Sequence, residues 1–128
     1  MAFEIAVQSV VYSILSADTA VGDLVTGVFD AVPQGQDYPY ISIGESTHNA
    51  WDTYNTLGDD ASVTIHTWSR SRGRKETKEI QGAIYDALQR ADGSYSGYDI
   101  ISIDWQVSQS FLDADGLTRH GVSTLEFY

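Results

Sequence analysis

Two stretches of the chain place apolar residues at every third or fourth position, the spacing of one face of an α-helix. The first covers residues 3–17 and predicts an amphipathic helix that ends near Ser16, followed by a short helical turn capped by Asp18 or Thr19. The second follows a basic segment and stops at the sequence DGSYSG. Its apolar face consists of Ile80, Ala83, Ile84, Ala87, Leu88 and Ala91.

Other stretches alternate apolar and polar residues with a period of two, which is the pattern of a strand with one buried face. The clearest is ASVTIHTWS, residues 61–69, which places His66 and Trp68 on the face opposite Ile65. The Asp-Gly pair in LDADGL favours a hairpin between the last two strands. The other predicted strands are a short one at 28–29 and longer ones at 40–45, 99–111 and 119–128.

The resulting order is helix, short strand, strand, strand, helix, strand, strand. This order predicts an α+β fold: a mainly antiparallel sheet of about four to five strands with two helices packed on one face. A chain of 128 residues, 42% of them hydrophobic, is the right size for one domain with one core, so residues 1–128 are expected to form a single domain.

Residues 46–60 are polar with isolated aromatics and predict a long loop or arm, a kind of segment that is often functional in a small domain. Trp51 and Tyr54 lie in this arm, and Tyr38 and Tyr40 flank a proline just before it. Aromatic side chains in polar surroundings are typical interface anchors, although the same rings could also fold back onto the sheet. We therefore predict these four aromatics as apolar contacts of a protein interface.

The composition limits the compartment and the partners. The chain has no cysteine, a formal net charge of -11 and a pI near 4.3. It therefore has no disulfide framework, and its surface as a whole repels nucleic acid and anionic membranes. The start MAFEIAVQSVVYSIL lacks the basic leader of a signal peptide, and no apolar run approaches the ~20 residues of a membrane helix. We expect a soluble cytoplasmic protein without membrane contact.

Most of the positive charge lies in a basic turn, residues 70–78, which predicts a strand-to-helix connection. Phosphate binding at the helix start is one interpretation, but the spacing of a Walker loop is missing. DNA binding is opposed by the overall charge, and a solvated turn is a third alternative. A protein interface with an acidic neighbour remains, since arginine is enriched at interfaces. The interface candidates are Arg70, Arg72, Arg74 and Lys75.

No residue pattern predicts catalysis, a metal or a cofactor. His48, His66 and His120 show none of the short spacings of paired metal ligands, and we expect them at the surface in strands and loops. Turn chemistry explains the aspartates of LGDD and LDADG, and no nucleophile elbow is present. The chain is accordingly predicted not to be an enzyme.

A combination of motifs resembles the tail completion, or tail terminator, family of long-tailed phages and gene transfer agents, and the resemblance covers nearly the whole chain. A Pro-Tyr-Ile strand is followed by a strand that ends in Trp-Ser, then by a basic residue, a glycine and a helix. In this sequence these positions are Pro39, Tyr40, Ile41, Trp68, Ser69, Arg70, Gly73, Ile80, Ile84 and Leu88.

The resemblance implies a non-enzymatic virion protein of the tail and neck, assembled in the host cytoplasm. Such a protein forms a hexameric ring at the head-proximal end of the tail tube, stops tube polymerisation and joins the tail to the head. The implied partners are further copies of the chain, the tail tube protein, a head connector or stopper protein, and DNA that passes through the lumen without sequence-specific binding. The alternative function is a small nucleic-acid or nucleotide-binding protein that uses the basic turn.

Overall fold

The computed structural model describes residues 3–50, 59–70, 74–89, 93–95, 98–100, 103–112 and 116–127. The helices in these ranges are α1 (Phe3–Ala17), α2 (Thr19–Leu24) and α3 (Lys75–Gln89). The strands are β1 (Val28–Phe29), β2 (Tyr40–Ala50), β3 (Asp59–Ser69), β4 (Gly93–Tyr95), β5 (Tyr98–Ile100), β6 (Ile103–Leu112) and β7 (Arg119–Phe127). No helix in the described ranges has the length and apolar character needed to cross a membrane.

Within the described residues, five strands form one mixed sheet in the order β1-β2-β3-β7-β6. Only β1 and β2 are parallel, and the other neighbours are antiparallel, which confirms the predicted α+β class and the mainly antiparallel sheet. The predicted set of strands was incomplete. β4 and β5 pair with each other outside the main sheet, where the sequence indicated only a helix stop and the start of one long strand. Strands of three residues are too short to show alternation.

The core lies between one face of the sheet and the two long helices. Alternate residues of the strands, such as Ile41, Ile65 and Leu125, join a buried cluster with Val10 of α1 and Ile84 of α3. We call this side of the sheet the helix face and the opposite side the outer face. α2 confirms the short helical turn predicted after α1, and as a third helix, packed against α1 and α3, it corrects the predicted count of two helices. Asp18 caps α2, since its carboxylate accepts a hydrogen bond from the Val21 amide at 3.0 Å.

The prediction of an arm over residues 46–60 was wrong at both ends. β2 continues to Ala50 and pairs with the start of β3, and Thr47 and Ser62 share a hydroxyl hydrogen bond of 2.6 Å. A register shift between Ile43 and Ser46 breaks the alternation. The polar composition after this bulge hides the strand from a pattern-based prediction. The remainder of the arm, residues 51–58, lies outside the described residues.

Partly buried hydrogen bonds hold α3 against the sheet. The Ser69 hydroxyl donates to Glu76 Oε1 at 2.6 Å, and Gln81 Nε2 donates to the Gln109 carbonyl at 2.8 Å. Both bonds join α3 to the sheet, so the end of β3 and the start of α3 are held in place. A strand-to-helix connection after Ser69 is confirmed, but the predicted range 70–78 was too long, because α3 begins at Lys75.

Two glycine substitutions should have opposite effects on stability. A Cβ on Gly121 of β7 would lie 2.7 Å from Gln81 Nε2 and 2.8 Å from Thr77 Cγ2, both in the tight interface with α3. We expect Gly121→Ala to lower the free energy of unfolding by about 1–3 kcal/mol because of overpacking. Gly82→Ala should raise it by about 0.5–1 kcal/mol, since this exposed helical site has no atom within 4 Å of the added carbon. Urea denaturation measures both changes, and equal effects would contradict the close packing of α3 on β7.

Candidate functional site

A row of aromatic rings crosses the outer face at right angles to the strands. We call it the aromatic row, and each strand of the main sheet contributes one ring to it. The centroid distances between successive rings are 6.2, 6.4, 3.9 and 4.8 Å. From β1 to β6 the members are Phe29, Tyr40, Trp68, His120 and Phe111.

Trp68 is the centre of the aromatic row. Its ring stacks on His120 with an interplanar angle of 13°, and its Nε1 donates to the Ser42 hydroxyl at 3.0 Å. Strand register explains the contact, since Trp68 is the cross-strand partner of Tyr40 on one side and of His120 on the other. Cross-strand aromatic pairs stabilise a sheet, and here they hold large rings in fixed positions on its surface.

Beside Trp68, two histidines and a glutamate form a hydrogen-bonded chain. His66 Nδ1 lies 2.7 Å from His120 Nε2, and His66 Nε2 lies 3.2 Å from Glu45 Oε1. A carboxylate only accepts hydrogen bonds, so in neutral His66 Nε2 carries the proton and Nδ1 accepts from His120. Gly44 leaves room for this ring, because a Cβ there would lie 2.5 Å from His66 atoms. The chain fixes the orientation of the His120 ring.

At the end of β3, the aromatic row meets the basic turn. The Arg70 guanidinium lies 4.4 Å from the centroid of the Tyr38 ring, and Arg70 Nε donates to the Thr118 hydroxyl at 3.4 Å. Tyr38 in turn contacts Tyr40, with 5.1 Å between the ring centroids. The loop that carries Tyr38 is tied to Thr26, whose hydroxyl donates to the Asp37 carbonyl at 2.8 Å. The structure thus joins two predicted groups of interface residues into one surface.

Tyr40 is held in its neutral form. Burial raises the pKa of its phenol, and the neighbouring Tyr38 raises it further, while the Arg70 charge acts in the opposite direction. The Tyr40 hydroxyl therefore stays uncharged at neutral pH.

The other predicted interface residues have different positions. Arg74 and Lys75 are exposed at the start of α3, and Lys75 Nζ lies 3.9 Å from Glu79 Oε1, an exposed pair that contributes little to stability. Arg72, Trp51 and Tyr54 lie outside the described residues.

The sequence patterns did not identify four members of the aromatic row as interface residues: Phe29, Trp68, His120 and Phe111. The signal was present in part, because His66 and Trp68 were correctly placed on the face opposite Ile65. Their meeting with His120 depends on the pairing of β3 with β7, which local alternation does not reveal. Among the residues that the structure describes, no group of three or more His, Cys, Asp or Glu side chains could hold a metal ion.

Aromatic rings and arginine side chains are enriched at protein–protein contact surfaces. The aromatic row is broad and is built on rigid strands. Fold and surface together make the outer face the candidate site for contact with other proteins.

Comparison with known proteins gives the family. A family model described as tail completion protein gp17 matches residues 9–128. The chain is 24% identical over 105 residues to tail completion protein gp17 of Bacillus phage SPP1, a match that covers 82% of this chain and 78% of that protein. The chain belongs to the tail completion protein gp17 family, whose members are structural phage proteins and not enzymes. This confirms the resemblance identified from the sequence.

Two solved structures share the fold. A chain in the virion of a native gene transfer agent particle matches with a TM-score of 0.90 and 25% identity, covering 98% of this chain and 96% of that one. The structure of bacteriophage SPP1 gp17 matches with a TM-score of 0.67 and 22% identity, covering 96% and 88% of the two chains. The chain has a structural role in tail completion.

Proposed function

We propose that this chain acts as a tail terminator: a single domain over residues 1–128 that assembles into a hexameric ring at the head-proximal end of the tail tube. The ring stops tube polymerisation on one side and joins the head connector or stopper protein on the other. The protein is made in the host cytoplasm and then resides in the tail and neck of the virion. The ring acts through its shape: one side matches the last ring of the tube, and the other side lacks the surface to which another tube subunit would bind.

The observation that carries this proposal is the aromatic row on the outer face. It offers an extended and preorganised surface to other virion proteins, which is what an adaptor between two assemblies requires. Arg70, placed on Tyr38 beside the row, adds a positive charge to this surface. Family membership adds that the assembly belongs to a phage tail, and the match to a chain of a gene transfer agent virion supports a place in the particle.

The charge of the chain suits a ring through which DNA passes. A subunit with a net charge of -11 repels phosphates, so a lumen lined by such subunits holds DNA weakly. The arginines of the basic turn would then act in contacts between proteins, where acidic neighbours are abundant. The two candidate functions therefore differ in what the arginines bind: other proteins in a terminator, and phosphates in a nucleic-acid-binding protein.

Charge reversal in the basic turn tests the proposal. We expect the triple variant Arg70→Glu, Arg72→Glu, Arg74→Glu to lower the yield of joined head–tail particles by about tenfold or more, since reversed charges at an interface cost at least 1.4 kcal/mol. Particle yield is counted by electron microscopy, and DNA affinity of the purified protein is measured in parallel at fixed salt concentration. The matched control replaces the same arginines with lysine and should retain most of the yield of joined particles.

The opposite result would favour the nucleic-acid function. In that case the triple glutamate variant would join tails normally but lose measurable DNA binding. Electron microscopy of particles that carry the protein gives an independent test, and a position away from the neck or a copy number other than six would contradict the terminator ring.

A further inference from the structure

Two histidines on the outer face share one hydrogen, and we call His66 and His120 the histidine pair. His66 Nδ1 and His120 Nε2 lie 2.7 Å apart, a distance at which one nitrogen donates a hydrogen bond and the other accepts it. A ring with a hydrogen on both nitrogens cannot accept. The gap therefore holds one hydrogen, and the pair cannot carry two positive charges while this contact exists.

A single positive charge on the histidine pair has a favourable contact at either ring. His66 Nε2 lies 3.2 Å from the carboxylate of Glu45. His120 lies almost flat on the Trp68 ring, with 3.9 Å between the centroids, and the face of an indole attracts a cation. The first charge can thus reside on either ring without breaking the hydrogen bond between them.

A second positive charge would separate the two rings. It would place two N–H groups against each other in the 2.7 Å gap and bring two like charges equally close. Water reaches little of His66, whose side chain is 15% exposed, so solvent does not relieve the repulsion. The cross-strand neighbours of the pair on β7 and β6 carry no charge: Val122, Gln109 and Phe111.

Other titratable and charged groups on the outer face do not favour a second proton. Tyr40 of β2 stays uncharged at neutral and acidic pH. Arg70 follows the end of β3, and Arg119 directly precedes His120 in β7, and both side chains are always positive. Glu126 lies six residues from His120, at the other end of β7.

We propose that the histidine pair is a pH-dependent switch of the aromatic row, closed while the pair carries at most one positive charge and open when both rings are charged. His120 is the ring that moves, because the backbone of Gly44 confines His66: a Cβ on Gly44 would lie 2.5 Å from the His66 ring. Trp68 then loses the ring stacked on it, and the row is interrupted at β7. The switch belongs to the isolated chain and does not depend on the proposed ring.

NMR of the purified protein with isotope-labelled histidines tests the switch without any substitution. The titration runs from about pH 8 to about pH 4.5, across the ordinary imidazole pKa of about 6.5, and circular dichroism verifies the fold at each pH. We expect one ring of the pair to stay neutral at about pH 5.5, where both rings are charged in the urea-unfolded chain. At lower pH the second ring should become charged, and His120 should lose the ring-current shift that stacking on Trp68 produces.

Three results of the titration would overturn the switch. In the first, both rings of the folded protein are charged at about pH 5.5, as in the unfolded chain. In the second, the second proton binds while His120 remains stacked on Trp68. In the third, one ring stays neutral to the end of the titration, so that the pair never opens in the folded protein.

Stability gives a second test. A folded pair that excludes one proton binds fewer protons than the unfolded chain, so the folded state loses stability as the pH falls. We expect the equilibrium constant of unfolding to rise about tenfold between about pH 7 and about pH 5, beyond the rise measured for His66→Gln. Glutamine can accept a hydrogen bond from His120 and donate one to Glu45, but it does not titrate. This variant therefore retains the contacts and lacks the switch.

His48→Gln is the matched control, because it removes an imidazole from β2 and leaves the histidine pair intact. It should retain the tenfold difference from His66→Gln, measured by urea denaturation at each pH. Equal pH dependence of the natural chain and of His66→Gln would overturn the switch, whatever the result for the terminator ring.

Discussion

Replacement of Trp68 by alanine should reduce the yield of joined particles by about 30-fold or more, which corresponds to the loss of a contact hot spot of about 2 kcal/mol. Trp68 stacks on His120, contacts Tyr40 and bonds to Ser42, so its removal leaves a gap in the middle of the aromatic row. The neighbouring rings lose their support at the same time. Particle yield and tail length are measured by electron microscopy, and urea denaturation confirms that the variant is folded under the assay conditions.

Trp105 provides a matched control on the other side of the sheet. It packs partly buried against the core, and its ring lies 5.1 Å from that of Tyr85 on α3. Trp105→Ala should therefore lower stability while the folded protein still joins tails. Normal particle yield from Trp68→Ala would show that the aromatic row does not contact other virion proteins, and the proposed surface would be wrong.

Replacement of Phe127 by alanine should lower the free energy of unfolding by about 3–5 kcal/mol. This ring is completely buried at the end of β7, among residues of the helix face. Small domains are stable by only about 5–15 kcal/mol, so the variant should be close to the limit of folding. The measurement is the urea midpoint together with the slope of the transition.

Phe111 is the matched control for Phe127, because it has the same side chain but lies 41% exposed at the end of the aromatic row. We expect Phe111→Ala to change the free energy of unfolding by less than about 1 kcal/mol, since little apolar area leaves the core. A loss below about 1 kcal/mol for Phe127→Ala as well would contradict the buried position of Phe127.

Segments with one continuously buried face could be predicted from the sequence. β3 and α3 each pack one side against the core over many residues, and burial of this kind leaves a period of two or of 3.6 in the sequence. The strand after the bulge in β2 left no such trace, because the bulge shifts the alternation and polar residues follow it. The pair β4–β5 is too short to carry a pattern.

The candidate surface was predicted in pieces. Tyr38, Tyr40 and Arg70 were assigned to an interface from their residue types, yet their contact depends on a loop that folds back to the end of β3. His66 and His120 are separated by 54 positions and meet only through the pairing of β3 with β7. Such contacts depend on long-range strand register, which no local pattern encodes.

The aromatic row takes one ring from every strand of the main sheet, and its last two members lie on β6 and β7, the final strands of the chain. A polypeptide whose β6–β7 hairpin has not yet docked presents only the first three rings of the row. If the row is the contact surface proposed above, a subunit that has not completed its sheet lacks part of this surface and binds its partners weakly. Assembly into the particle would then select completely folded subunits.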